Sequence, residues 1–136
     1  MKHYFIYGVT AGVFSALAGV VYQNVYQDAM YVDFSSVINI VSISGASIFA
    51  CVLMALGYWL LAQQNKLNLT GWLNVIIAVI TFLSILLPVS MTLPLDIEYP
   101  ELFPGLAIPM HFFPAMVFYG LYPFFIKESP QAQIHK

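Results

Sequence analysis

Four long apolar runs alternate along the chain with three short segments rich in polar and turn residues. The runs cover residues 4–22, 37–61, 72–92 and 106–126. Each is about 19–25 residues long, enough to cross a hydrocarbon core of roughly 30 Å as helix with modest tilt. Apolar side chains fill both odd and even positions, so the alternation of a barrel strand is missing. The separators read QNVYQDAMYVDFSS, AQQNKLNLTG and LPLDIEYPELFPG. Short separators set consecutive helices side by side and antiparallel. The pattern predicts an all-α integral membrane protein, an antiparallel four-helix transmembrane bundle forming a single domain over residues 1–136. Ser35 or Ser36 is expected to cap the second helix, and Asn68 or Thr70 the third.

Charge gives the bundle a direction. Lys2, Lys66, Lys127 and Lys136 fall on one side of a four-span chain. Asp28, Asp33, Asp96, Glu98 and Glu101 fall on the other, and Glu128 alone breaks the separation. Lysine excess marks the cytoplasmic side. Both termini are therefore expected to be cytoplasmic, in a cell membrane of the bacterial inner-membrane type. Tyr4, Tyr7, Tyr58, Trp59, Trp72, Tyr119 and Tyr122 are expected near the inner interface, with Tyr22, Tyr26, Tyr31 and Tyr99 near the outer one. Lys2, an apolar stretch and Ala16-Leu17-Ala18 imitate a signal peptide, but the run continues through Val21 and contains glycines. The segment is expected to stay as the first span.

Composition removes several function classes. Hydrophobic residues make up 61% and charged residues 7% of the chain, against about 25% charged in a soluble domain. A soluble surface of this size cannot be coated so sparsely, and disorder requires the opposite balance. With four lysines and no arginine, no phosphate-binding patch exists, so nucleic acid is not an expected partner. The expected partner is the lipid bilayer. The single cysteine, Cys51, has no disulfide or zinc-site companion and reads as a small packing residue.

Helical spacing sorts residues onto faces. Gly8, Gly12, Ser15 and Gly19 form a stripe on the first span. Ser44, Ser47, Cys51 and Ala55 do so on the second, and Asn74, Ala78, Thr81, Pro88 and Thr92 on the third. Lipid supplies no hydrophobic drive between helices, so association relies on close approach and hydrogen bonds. The stripes are expected to pack a monomeric bundle. The alternative is a homodimer, or docking of a membrane-protein partner, through the Gly8/Gly12 face.

Catalysis needs an acid/base pair, an activated nucleophile or a metal, and no such constellation appears. No metal site and no cofactor are expected. Two histidines at one depth can ligate haem iron, but His3 and His135 lie at the end opposite His111. Three carboxylates in the third separator read as a solvated loop, one whose apolar residues can dip onto the bundle. Pro109 is expected as the first helical residue of the fourth span, which puts His111 in its first turn near the outer interface. Pro114 is expected to bend that helix. An outward-facing pocket is the one candidate site, lined by His111, Asn74, Thr81, Pro88 and Phe118. The leading expectation is a non-enzymatic accessory or interaction component. The alternative is a small transporter or a lipid- or quinone-binding protein using that pocket.

Overall fold

The first helix does not stop where its apolar run stops. In the computed structural model, which describes residues 1–94 and 97–126, α1 runs from Lys2 to Met30. Asp96, Lys127, Glu128, His135 and Lys136 lie outside the described residues. The polar residues after Tyr22 stay helical because neighbouring segments satisfy them. Gln23 is buried and donates its side-chain N–H to the Ile38 carbonyl at 2.8 Å. The Tyr22 and Tyr26 hydroxyls donate to the carbonyls of Gly105 and Leu102, at 2.9 and 2.8 Å. Tyr31 then ends the helix in the left-handed region (φ 53°), donating its N–H to Gln27.

The second helix, α2, spans Ile40–Gln63. Its cap is Asn39, not Ser35 or Ser36. The Asn39 side chain accepts from the Ser42 N–H at 2.9 Å, and Ser42 Oγ accepts from the Asn39 N–H at 3.0 Å, a reciprocal capping box. The preceding turn is fixed by Asp33, whose carboxylate accepts from the Ser35 N–H at 2.8 Å. Hydrogen bonds from Ser35 hold that carboxyl below its ordinary range.

The third span is divided. A 3₁₀ turn at Leu67–Leu69 leads into α3, Thr70–Ser84, and α4 follows at Leu86–Ser90. Neither Asn68 nor Thr70 caps α3; the Thr70 hydroxyl instead donates to the Leu67 carbonyl at 2.7 Å. The break at Ile85 follows from Pro88, which has no N–H for the Ser84 carbonyl. A second 3₁₀ turn, Pro100–Leu102, precedes α5, Phe103–Phe125.

These four long apolar helices form an all-α bundle with the architecture of a four-span membrane protein. The α1–α2 pair is the most extensive contact, and α5 lies against α1. The Gly8 stripe makes the first of these possible. Gly8 meets Ala55 and Cys51, Gly12 meets Ile48, and Gly19 meets Ile43. Ser15, on the same stripe, is fully buried. The Gly8/Gly12 face, expected to pack a monomeric bundle with a dimer as the alternative, meets α2 of the same chain.

Two packed clusters hold the bundle. One joins Tyr7, Ala11, Cys51, Ala55, Tyr58, Ile77 and Phe118. The other, at the end carrying the α1–α2 turn, joins Val32, Phe34, Phe103, Leu106 and Ala107, with Leu93, Ile97 and Leu102 of the third loop packed onto it. Tyr7 and Tyr58 are therefore core residues and not members of an interfacial belt. The Tyr7 hydroxyl donates to the Phe118 carbonyl, and the Tyr58 hydroxyl to Asn74 Oδ1. A phenol reaches the interior when its oxygen finds a partner there.

One of these tethers repairs a defect in α5. Pro109 removes the N–H that would bond the Gly105 carbonyl, and the Tyr22 hydroxyl takes that carbonyl instead. Tyr22→Phe is expected to cost about 1 kcal/mol. In a Pro109→Ala background, where the backbone N–H returns, the same substitution should cost less. A double-mutant cycle by detergent unfolding reads the difference; equal costs in both backgrounds would refute the compensation.

Candidate functional site

Between the two clusters, α2, α3 and α5 stand apart and leave a groove. Its volume is about 580 Å³, within the roughly 300–1,000 Å³ of small-molecule sites. α2 contributes Ser42, Ala46, Ser47, Ala50 and Met54. α3 contributes Leu73, Ile77, Ile80, Thr81 and Ser84, while α5 contributes Met110, His111, Pro114 and Ala115. Gly19 of α1 and Ile43 of α2 complete the lining. Leu53, Ile76 and Ile80 on the rim are about half exposed, so the groove opens sideways along α2 and α3.

The groove exists because α3 packs lightly. Only 11% of the most apolar stretch of the third span is buried, against 39% in the first. α1 and α2 carry small residues that bring backbones together, whereas α3 presents Val75, Ile76, Val79 and Ile80 as bulky exposed side chains. Its firm attachment is near its start, where Asn74 takes the Tyr58 hydroxyl through its side chain and the Tyr119 hydroxyl, at 3.4 Å, through its carbonyl.

Of the five residues expected to line a pocket, the structure brings His111 and Thr81 to this groove. Asn74 is occupied by the tyrosines, Phe118 is fully buried in the packed cluster, and Pro88 is buried in α4. His111 also sits deeper than expected. α5 begins at Phe103 with Pro104 in its first turn, so His111 lies two turns in, roughly 12 Å along the axis. The turn residues of the third separator predict loop up to Gly105, yet Pro104 is compatible with a first turn.

The sequence pattern misses Ser42, Ser84, Ala50 and Met110 as lining residues. Ser47 appears only as part of a packing stripe. Small residues on a helix face signal a close neighbour equally well as a vacancy, and only the position of α3 decides between them.

The polar groups are unevenly placed. Ser42 starts α2, Ser84 ends α3 and His111 lies in the first half of α5, so all three lie toward the end carrying the α1–α2 turn. Leu53, Met54 and Leu73 lie toward the opposite end. Their hydrogen bonds are mostly spent at home. Thr81 donates to the Ile77 carbonyl at 2.8 Å, Ser84 to Thr81 at 2.7 Å, and Ser42 to Asn39 at 2.8 Å. His111 Nδ1 lies 2.8 Å from the Ala107 carbonyl.

Among the described residues no group of three or more His, Cys, Asp or Glu is placed to hold a metal ion. Comparison with protein-family models, curated proteins and solved structures finds no match to this chain. The groove's own chemistry carries the functional argument.

Proposed function

We propose that this multi-span membrane protein is non-enzymatic and holds a lipid-class molecule in the groove between α2, α3 and α5. The observation that carries the reading is the groove itself: about 580 Å³, walled mainly by aliphatic side chains and open sideways. In a bilayer such a space is filled by hydrocarbon, and an opening along α2 and α3 admits a ligand directly from the membrane. The polar residues at one end and apolar ones at the other match an amphiphile lying along the bundle axis. Lys2 and Lys66 share the end that carries the N-terminus, while Asp28, Asp33, Glu98 and Glu101 share the opposite end. The positive-inside rule supports a cytoplasmic N-terminus and C-terminus, with the polar end of the groove in the outer leaflet.

Native mass spectrometry after mild detergent extraction tests this. The wild type is expected to retain a co-purified lipid-sized adduct. Ala50→Trp, which fills the groove from α2, is expected to lose it while remaining folded. An adduct that survives Ala50→Trp, or a wild type that carries none, overturns the reading. A second reading, an accessory subunit that docks through α3, is favoured by the shallow burial of that helix. In that case the same measurement gives a protein adduct.

A further inference from the structure

The lining of the groove restricts the head of its ligand more sharply than its tail. The Ala107 carbonyl can only accept, so the nitrogen 2.8 Å from it, His111 Nδ1, carries the proton. In the neutral ring Nε2 is then a lone-pair acceptor, and no hydrogen bond to it is made by the described residues. The hydroxyl protons of Thr81, Ser84 and Ser42 are committed to backbone carbonyls, which leaves only their oxygen lone pairs for a guest. Ser47, deeper along α2, is the one lining hydroxyl without a committed proton among the described residues. Among the described residues no lysine lines the groove, and the chain has no arginine.

We infer that the groove selects a neutral amphiphile with a hydroxyl head, of the long-chain alcohol class, whose O–H donates to His111 Nε2. This rests on the lipid-binding reading above and specifies its ligand. An anionic head meets no lysine among the described residues of the lining and faces several lone pairs, while giving up its hydration. An ester, an ether or a quinone carbonyl offers only acceptors, which Ser47 alone can serve. A hydroxyl supplies the donor that His111 lacks, and its own oxygen can accept from Ser47 or from water at the rim. The tail then runs toward Leu53, Met54 and Leu73.

Three probes with one tail separate the possibilities: oleyl alcohol, its O-methyl ether and oleate. Each is titrated against the purified wild type, Ala50→Trp and His111→Phe by native mass spectrometry in detergent. The alcohol is expected to bind the wild type about fivefold or more tightly than the ether, the worth of one neutral hydrogen bond, with oleate weaker than the alcohol. His111→Phe keeps the ring and removes both nitrogens, and should bring the alcohol down to the ether's affinity. His111→Gln, which retains an acceptor, should keep part of the preference and serves if the phenylalanine variant does not fold. Equal binding of alcohol and ether by the wild type, a preference for oleate, or a preference unchanged in His111→Phe overturns the hydroxyl assignment. In those cases binding that is still blocked by Ala50→Trp leaves the groove as a hydrocarbon site. If none of the probes gives binding sensitive to Ala50→Trp, both readings fall.

Discussion

Phe118→Ala is expected to destabilise the bundle by about 3 kcal/mol. Phe118 is fully buried, and its ring lies 4.4 Å from that of Tyr7 and 5.6 Å from that of Tyr58. Truncating a buried aromatic in a soluble core costs about 3–5 kcal/mol, from lost transfer energy and from the cavity left behind. In lipid the transfer contribution shrinks, because the unfolded reference is itself in hydrocarbon. Lost dispersion contacts and the cavity remain, which sets the lower end of that range. The Tyr7 hydroxyl bonds the backbone carbonyl of residue 118, so that tether survives the substitution. Met116, two positions away and 66% exposed, is the control; Met116→Ala should change stability by less than about 0.5 kcal/mol. Reversible unfolding in mixed micelles followed by circular dichroism gives both values. A cost for Phe118→Ala near that of Met116→Ala would contradict the packing described. Oleyl alcohol binding by any folded Phe118→Ala should be unchanged, since Phe118 lies in the cluster and not in the groove.

That outcome bears on what was legible in the sequence. The helices, their number and their antiparallel order follow from run length and separator length, because the bilayer demands about 20 apolar residues per crossing. The inward stripes were legible for α1 and α2, where small residues leave no choice about which side a neighbour approaches. Helix ends were not. Gln23, Gln27 and Asp28 read as loop because polarity ends an apolar run, yet α1 continues through them. The partner of Gln23 is the Ile38 carbonyl, and those of Tyr22 and Tyr26 are Gly105 and Leu102, distant residues that no local pattern announces. The candidate site was half legible for a related reason. His111 and Thr81 stand out as polar atoms in apolar helices, and both reach the groove. Asn74 stands out in the same way, but Tyr58 claims it from α2. The space itself arises from what α3 fails to bury, and missing contacts leave no mark in a sequence.

Gly12→Leu is expected to separate α1 from α2 and unfold the bundle, where Gly12→Ala should already cost about 1–3 kcal/mol. A Cβ at position 12 would stand 2.5 Å from Ile48 Cα, 3.1 Å from its Cγ1 and 3.2 Å from its Cβ. The nearest obstacle is backbone, so no side-chain rotation relieves it, and the helices must move apart. Separation also loosens the contacts of Gly8 with Ala55 and Gly19 with Ile43, which depend on the same close approach. Gly45 and Gly120 provide the contrast, since a Cβ there meets nothing within 4 Å. Alanine at either position should be neutral or stabilising by about 0.5–1 kcal/mol, through helix propensity alone. The comparison also decides between two uses of the stripe. A glycine face that joins two copies would, on Gly12→Leu, yield a folded monomer with unchanged helicity. A face already occupied by α2 instead loses helicity and thermal stability together, at any protein concentration. Size-exclusion chromatography beside a thermal melt separates these results. A folded, stable Gly12→Leu monomer would overturn the intramolecular assignment.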